Sequence, residues 1–434
     1  MPERRIAFIA PHADPLACHH GCPAPPEQSY LEELSRHLAA SGHWVDVFTR
    51  WESPEVPDDL AWAPNARVLP IRTGPSRPLS VDDARKYLPA FHDAVLRRVR
   101  ERATRYDLIH VNTPLGASTA CELSRRLDVP FVLTVHRHGH EVHAVGIERE
   151  IMQSASRIIV HSPAHHSAIA EASNGELSAL QIIPWGIDTR QFRPIDLLEA
   201  RHVLGIDHWV PLVACAWHPG SALDMSTILS GLAMLRGVDP PIKLLILDGA
   251  TDARSRSGIG DLRSMAGALG LQDRLIVAGE RVAHVPWLYY GAADLVAVAP
   301  PPDAHHTPYL EAMACARPVL GFDVEPARFV IEHERHGLLV PRGNPESWAE
   351  ALRALLADGT RRADMGTEGR RRCEAEFAWP VVTKRTTDLY EDVLASEHRP
   401  QDARYSIEKV TKSPASRDTE GLVGRVHAGV RAID

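Results

Sequence analysis

The chain has 434 residues, of which 44% are hydrophobic and 24% charged, and a chain of this length and balance usually forms at least two globular domains. Acidic residues outnumber basic ones by 56 to 48, which gives a formal net charge of −8 and argues against a nucleic-acid partner or an anionic membrane surface. The apolar run at residues 6–10 is too short for a signal peptide, and no run reaches the length of a membrane span. Six scattered cysteines then favour reduced thiols, so we expect a cytoplasmic protein without an integral membrane segment.

The first part of the chain alternates short apolar runs with helical patterns. Residues 6–10 form a nearly continuous apolar run, which is typical of a strand buried on both faces of a parallel sheet. A helical repeat follows at 30–40 and is ended by Gly42 before a strand at 45–48. Further helices are predicted at 82–103, 116–126 and 148–155, and further strands at 108–111, 131–134 and 158–160. The alternation predicts a parallel sheet covered by helices on both sides.

The alternation restarts after a strand at 181–183 and a polar stretch that reaches residue 207. The second series has strands at 212–216, 243–247, 275–278, 295–298, 319–322 and 337–340, and helices at 225–236, 260–269, 284–292, 309–316 and 345–357. We expect a first domain over 1–190, a second over 191–375, a crossover helix over 376–395, and a polar, disordered tail over 396–434. Hinges are predicted near Gly186 and near the final helix.

Several blocks of residues carry a family resemblance. They are PHADPLA at 11–17, GHWVDVFTR at 42–50, DLIH at 107–110, IPWGID at 183–188, YLEAMACARPV at 309–319 and HGLLVP at 336–341. On these blocks the chain resembles the family 4 glycosyltransferases of the GT-B fold over residues 4–395. The resemblance is strongest to the branch that contains sucrose-phosphate synthases and mycothiol-pathway glycosyltransferases.

The resemblance implies two Rossmann-like domains that face each other across a cleft, with a C-terminal helix that crosses back to the first domain. It implies retaining transfer of a sugar from a nucleotide-diphosphate sugar to a small-molecule or glycan acceptor, with no cofactor and no metal. It also implies that Glu311 holds the ribose of the donor and that Asp303, eight residues earlier, lies near the donor sugar. A carboxylate near the amino end of a helix suits a vicinal diol, because it can accept two hydroxyl hydrogen bonds. The alternative is that Glu311 only caps its helix.

The sequence departs from the family at the donor diphosphate. The family's Arg and Lys positions correspond to Ala216 and Ser221, so both cations are missing. Two glycines near the amino end of the family sequence correspond to Pro25 and Pro26, and a proline has no N–H to offer to a phosphate. The candidate substitutes are Arg281, Arg317, Arg328 and Arg335, although arginines of this kind are more often solvated surface residues.

The resemblance also assigns residues on both sides of the cleft. His136 follows the predicted strand at 131–134, and the resemblance implies that it contacts the donor sugar or the departing group. A histidine can bond a hydroxyl or move a proton near neutral pH. Gly249 and Leu310 are expected beside the donor. His12, Asp14 and Tyr30 belong to a loop over 11–30 that is expected to face the acceptor.

The sequence also raises three alternatives: a zinc site, a degenerate relative and an unusual donor. The segment CHHGC at 18–22 contains residue types that bind zinc, but no second pair with matching spacing is present, so we expect no metal site. The missing cations allow a degenerate relative that keeps the fold and serves as a binding or partner subunit. They also allow a pseudo-glycosyltransferase that uses an unusual nucleotide-linked donor.

Overall fold

A computed structural model of the chain describes residues 3–12, 26–54, 56–136, 149–173, 179–218, 220–247, 253–279, 282, 284–299 and 306–396. Within them the strands form two separate sheets, one of eight strands and one of six. A single sheet running through both halves of the chain would have contradicted the predicted architecture. The two sheets confirm it.

The first sheet has the strand order β3-β4-β2-β1-β5-β6-β7-β8. Its strands are β1 (Arg5–Ala10), β2 (Trp44–Arg50), β3 (Leu60–Ala63), β4 (Ala66–Ile71), β5 (Leu108–Val111), β6 (Phe131–Thr134), β7 (Arg157–Val160) and β8 (Leu180–Ile182). All neighbours pair in parallel except β3 and β4, which pair antiparallel at one edge. The sequence did not indicate this edge pair, because β3 is short and β4 contains Pro70, a residue that is confined to the margins of sheets.

The helices of this part are α1 (Pro26–Ala40), α2 (Val81–Arg85), α3 (Leu88–Glu101), α4 (Ala117–Leu127), α5 (Arg149–Ser154) and α6 (Pro163–Ala172). The single helix predicted at 82–103 is therefore wrong, since the chain leaves the helix between α2 and α3. Pro89 lies in the first turn of α3, where the missing N–H of a proline costs nothing, whereas inside a continuous helix it would remove a hydrogen bond.

Both faces of the first sheet are covered. In β1, Ile6 and Phe8 pack into one apolar cluster while Ala7 and Ile9 pack into another on the opposite face, which is the alternation that a pleated strand imposes. The fully buried Ile6, Phe8 and Ile9 each stabilise the fold by about 1.5 to 3 kcal/mol. The near-continuous apolar runs in the sequence follow from this two-sided burial.

The second sheet has the order β11-β10-β9-β12-β13-β14, and all its pairs are parallel. Its strands are β9 (Leu212–Trp217), β10 (Lys243–Leu247), β11 (Leu275–Val277), β12 (Leu295–Ala299), β13 (Val319–Phe322) and β14 (Gly337–Val340). The described helices are α7 (Leu197–Leu204), α8 (Ala222–Met234), α9 (Ala253–Ala268), α10 (Pro286–Ala292), α11 (Thr307–Ala314), α12 (Ala327–Val330), α13 (Pro345–Ala357) and α14 (Gly359–Arg372). The sequence reading missed α7, α12 and α14.

The last helix, α15 (Trp379–Ala395), follows a π-helical turn at Cys373–Phe377 and packs against α1 of the first domain. Arg4 donates two hydrogen bonds, of 2.8 and 2.6 Å, to the carboxylate of Glu391. Tyr390 is hydrogen-bonded to the buried His110 on β5. These contacts confirm that a C-terminal helix crosses back to the first domain.

The chain enters and leaves the second domain at one place. The N–H of Ile187 donates to the carbonyl of Phe377 at 2.9 Å, and the N–H of Trp379 donates to the carbonyl of Ile187 at 3.2 Å. Gly186, where a hinge was predicted, lies directly under the Trp379 indole, since a Cβ atom built on Gly186 would come within 2.3 Å of that ring. The two crossings of the chain are thus bonded to each other.

A glycine makes a close helix–loop contact in the second domain. A Cβ atom on Gly366 of α14 would lie 2.1 Å from the backbone oxygen of Ala316, so Gly366→Ala should destabilise the protein by at least about 1 kcal/mol through overpacking. Gly267→Ala in α9 is the matched control, because nothing lies within 4 Å of its Cβ position, and alanine should raise stability there by about 0.5 to 1 kcal/mol. Urea unfolding of both variants measures this, and equal effects would contradict the close contact.

None of the helices in the described ranges combines the length and apolar character needed to span a bilayer. The predicted tail lies outside the described residues beyond Ser396.

Candidate functional site

The site is built first on the carboxyl edge of the first sheet, where its parallel strands end. Asn112 directly follows β5, His136 comes two residues after β6, His161 directly follows β7, and Ile183 directly follows β8. Since these strands are neighbours in the order β5-β6-β7-β8, their following residues lie side by side. We call Asn112, His136, His161 and Ile183 the carboxyl-edge chain.

Hydrogen bonds join the members of the carboxyl-edge chain. The Nε2 atom of His136 is 3.2 Å from Oδ1 of Asn112, and its Nδ1 atom is 3.0 Å from Nε2 of His161. The Nδ1 atom of His161 is 3.0 Å from the carbonyl oxygen of Ile183. His136 thus lies at the strand end where the sequence predicted it, but its side chain is buried with both ring nitrogens in hydrogen bonds.

Aromatic rings enclose these histidines. The ring of Tyr30 lies 4.8 Å from that of His136, 5.2 Å from that of His161 and 5.1 Å from that of Trp185. Tyr30 is fully buried, and burial raises the pKa of its phenol. The expectation that Tyr30 belongs to an acceptor-facing loop is therefore wrong, because α1 already begins at Pro26 and turns this side chain into the core.

The first domain touches the second through His306. The backbone N–H of Trp185 donates to Nε2 of His306 at 3.1 Å, and His306 is the residue before α11. Its ring packs against Phe329 and Phe377 at 5.6 and 6.3 Å. The aromatic enclosure of the carboxyl-edge chain is thereby connected to the amino end of α11.

The second element of the site is Glu311, in the second turn of α11. Tyr290 on α10 donates its hydroxyl hydrogen to Oε2 of Glu311 at 2.7 Å. Burial raises the pKa of Glu311 to about 7, and the bond from Tyr290 opposes that rise. The residue at the helix start is His306, with no side-chain cap, so Glu311 does not cap its helix. A carboxyl group that is balanced between its two forms near neutral pH is available to accept hydroxyl hydrogens.

Leu310, its neighbour, is fully buried in the core of the second domain. Its N–H already donates to the carbonyl of His306 at 3.2 Å. The Leu310 side chain packs in this core, and the expectation that Leu310 lies beside the donor stays a prediction.

Ala216 and Ser221, the predicted positions of the missing cations, follow the inner part of β9 in the second domain. Ala216 is the penultimate residue of β9 at its carboxyl end, and Ser221 directly precedes α8. Both are buried, and the Ser221 hydroxyl donates to the carbonyl of His218 at 2.6 Å. Nearby, the fully buried Asp224 accepts two hydrogen bonds from Arg342, of 2.6 and 3.0 Å.

The candidate substitute arginines that the structure describes lie at different edges of the second sheet. Arg317 precedes β13, at the amino edge of the sheet, and donates to the carbonyls of Ile195 and Gly291, so it points away from the predicted donor site. Arg335 also lies at the amino edge and pairs with Glu332 and Glu368. Arg328 pairs with Asp323. Asp323 directly follows β13, so this pair lies at the carboxyl edge of the sheet.

Other predicted residues are not placed. Asp14, Gly249, Arg281, Asp303, Pro25 and the CHHGC segment at 18–22 lie outside the described residues. His12 is placed just after β1, and burial lowers the pKa of its imidazole. No group of three or more metal-binding side chains occurs among the residues that the structure describes.

Sequence reasoning missed three members of the site. Asn112 and His161 follow strands just as His136 does, so the same strand-end criterion applied to every strand would have found them. Tyr290 carries no such signal, because its contact with Glu311 is made between two helices and depends on the tertiary packing.

Comparison with known proteins identifies both domains. Residues 28–191 match the family described as Glycosyltransferase Family 4, and residues 225–372 match the one described as Glycosyl transferases group 1. The D-inositol 3-phosphate glycosyltransferase of Xylanimonas cellulosilytica is 28% identical over 419 residues, which cover 91% of this chain and 98% of that protein.

Solved structures give the same fold. Sucrose-phosphate synthase from Thermosynechococcus elongatus superposes with a TM-score of 0.76 at 25% identity, over 91% of this chain and all of that one. Anabaena Alr3699/HepE in complex with UDP has a TM-score of 0.68 at 17% identity, over 89% of this chain and all of that one, which is a likeness of fold alone.

Proposed function

Because this chain belongs to the family 4 glycosyltransferases of the GT-B fold, we propose that it transfers a sugar from a nucleotide-diphosphate sugar to a small-molecule acceptor, with retention of anomeric configuration. The observation that carries the donor half of this proposal is the Tyr290–Glu311 pair, formed between α10 and the second turn of α11. It offers a half-buried carboxyl whose pKa is about 7 to a vicinal diol such as that of a ribose.

The proposal assigns the other residues by their position. His136 faces the donor from the first domain, Asp303 lies near the donor sugar, and the segment around His12 and Asp14 serves the acceptor. No metal takes part, because fixed protein charges and helix amino ends neutralise the departing diphosphate. The names of the inositol-phosphate and sucrose-phosphate relatives favour a small acceptor over a glycan.

A second candidate function is that of a binding or partner subunit that has lost turnover. Ala216 and Ser221 favour it, because the family's two phosphate-binding cations are absent from these positions. Each charge-assisted phosphate contact contributes about 1.5 to 3 kcal/mol, so their loss weakens donor binding unless another charge compensates.

Isothermal titration with UDP, GDP and ADP separates the two candidates. Binding of one of the three nucleotides, followed by hydrolysis or transfer with the matching sugar nucleotide, supports the enzyme. Failure to bind any of them contradicts the donor assignment and supports the partner role.

Restoring the two charges tests the placement of the diphosphate. We expect the double variant Ala216→Arg, Ser221→Lys to bind the nucleotide diphosphate at least about tenfold more tightly, a difference of about 1.4 kcal/mol. The physical reason is that a partly desolvated diphosphate gains charge-assisted hydrogen bonds. Isothermal titration at fixed ionic strength measures the change.

The control for this variant is Ala216→Gln, Ser221→Gln, which adds side chains of similar length without charge and breaks the same bond from Ser221 to His218. Equal affinities in the two double variants, with both shown to be folded by circular dichroism, would contradict the placement.

A further inference from the structure

His136 and His161 contact each other, and each imidazole also has a hydrogen bond on its far side, to Asn112 and to Ile183 respectively. Their rings are close to parallel, with centroids 5.0 Å apart and an interplanar angle of 26°. The facing nitrogen atoms, Nδ1 of His136 and Nε2 of His161, are 3.0 Å apart, which is a hydrogen-bond distance. One proton must lie between them.

The far side of His161 requires a second proton. Its Nδ1 atom faces the carbonyl oxygen of Ile183 at 3.0 Å. A carbonyl oxygen can only accept a hydrogen bond, so this nitrogen carries a hydrogen and donates it.

The far side of His136 requires a third proton. The Asn112 amide is oriented by its own nitrogen, which donates to the carbonyl of Glu27 at 2.8 Å. The amide oxygen is thereby turned to His136, and it lies 3.2 Å from Nε2. Since an amide oxygen also only accepts, Nε2 of His136 is a donor.

Two neutral imidazoles carry two ring N–H groups, whereas these three contacts need three. We propose that His136 and His161 share one extra proton and carry a single positive charge, and that His161 is the positioning residue that keeps His136 as an imidazolium. The charge is held on the carboxyl edge of the first sheet by hydrogen bonds at both ends.

The surroundings place the extra proton on His136. Burial, followed by the charge of His136, keeps the pKa of His161 well below its usual range, so His161 is the neutral acceptor. The rings of Tyr30 and Trp185 lie 4.8 and 5.2 Å from that of His136 and 5.2 and 5.1 Å from that of His161, so a cation shared by the two imidazoles lies within the distance at which aromatic rings attract it.

Titratable groups face the pair from three helices. Tyr30 faces it from α1, and burial raises the pKa of that phenol. His165 faces it from α6 and His306 from the start of α11, and each lowers the pKa of His161.

This charge has a use that rests on the proposed function. The carboxyl edge of the first sheet faces the donor, and the donor's diphosphate has lost two cations at Ala216 and Ser221. A positive charge on His136 provides attraction for the departing diphosphate without a contact at those two positions.

Nuclear magnetic resonance of the full chain labelled with [15N]histidine, without any ligand, tests the shared proton. The His136 signals among the 24 histidines are identified by their loss in His136→Gln. We expect both ring nitrogens of His136 to show the imidazolium pattern at pH 7.5. A neutral pattern at this pH would overturn the inference.

Two variants of His161 separate the proton from mere packing. His161→Leu removes the acceptor for Nδ1 of His136, so the midpoint of the His136 titration should fall by about one pH unit or more. His161→Gln keeps an amide acceptor and should restore most of the midpoint. Asn112→Leu removes the acceptor at the other end and should act like His161→Leu, which keeps the test open if one variant does not fold. An unchanged midpoint in the folded leucine variants would overturn the role of His161.

Titration with UDP, GDP and ADP completes the test. For the nucleotide that the protein binds, affinity should fall about tenfold in His161→Leu and much less in His161→Gln, while affinity in the two variants should converge above the midpoint of the titration. An imidazolium signature without binding of any nucleotide would uphold the shared proton and contradict the proposed function. Binding that is equal in both variants at all pH values would refute the use of the charge.

Discussion

Glu311→Ala is expected to weaken nucleotide binding by about 1.5 to 3 kcal/mol, which is roughly tenfold to more than a hundredfold. The carboxyl group is held by Tyr290 at 2.7 Å, so it is oriented before the ribose arrives and its removal leaves two hydroxyls without an acceptor. Isothermal titration measures the loss. Glu311→Gln is the matched variant of the same shape, and it should lose less because its amide oxygen still accepts one hydrogen bond.

The same residue gives a pH dependence with a definite sign. Burial raises the pKa of Glu311 from the ordinary 4.5 to about 7, so the folded protein favours the protonated form. Its contribution to stability is complete below pH 4.5 and is lost as the pH rises through about 7. The diol is bound by the carboxylate, so nucleotide affinity should rise over the same interval.

Tyr290→Phe checks this assignment. The Tyr290 hydroxyl lowers the pKa of Glu311, so its removal should move the rise in affinity to higher pH. A nucleotide diphosphate without the two ribose hydroxyls should show no such rise. An identical rise with that analogue would show that Glu311 does not hold the ribose.

Trp379→Ala should destabilise the protein by about 3 to 5 kcal/mol, the usual cost of removing a large buried aromatic side chain. Trp379 is 3% exposed. Its ring stacks on His37 at 5.7 Å, lies 5.6 Å from Tyr30, and covers the backbone of Gly186. The variant opens a cavity where the last helix meets the first domain, and neighbouring helices cannot close it without moving α15.

Trp209→Ala is the control, because Trp209 is 85% exposed and such surface changes usually stay within about 0.5 kcal/mol. Urea unfolding followed by circular dichroism measures both. Similar losses of unfolding free energy in the two variants would mean that α15 contributes little to the first domain.

The sequence predicted the inner strands well and the margins of the sheets poorly. The strands at 131–134 and 243–247 have the predicted bounds, because a strand that is buried on both faces has an unbroken run of apolar residues. The strand Ala66–Ile71 was missed, since its proline speaks against a strand. The helix Gly359–Arg372 was missed because its sequence is polar almost throughout and its burial depends on the packing of Met365, Gly366 and Gly369.

The residues of the candidate site were likewise predicted only in part. His136 and Glu311 were predicted because each belongs to a recognisable local block of sequence. Their protonation is controlled by His161, which lies 25 residues from His136, and by Tyr290, which lies 21 residues from Glu311. These contacts depend on which strands and helices become neighbours. Tyr30 was misplaced for a local reason, since the loop was extended to residue 30, whereas the helix begins at Pro26 and a proline is well suited to the first turn of a helix.

The return of α15 to the first domain sets the order in which the chain can be completed during synthesis. Trp379, Val382, Leu389, Tyr390 and Val393 belong to the same apolar cluster as Ile6 and Phe8. When a ribosome has finished the eighth strand, about 200 residues must still be added before these side chains exist, which takes on the order of 10 to 40 s at typical bacterial and eukaryotic rates. Throughout that interval one face of the amino-terminal sheet exposes apolar surface, so the nascent chain is a substrate for chaperones. Truncations that remove the last turns of α15 will therefore destabilise the first domain before the second.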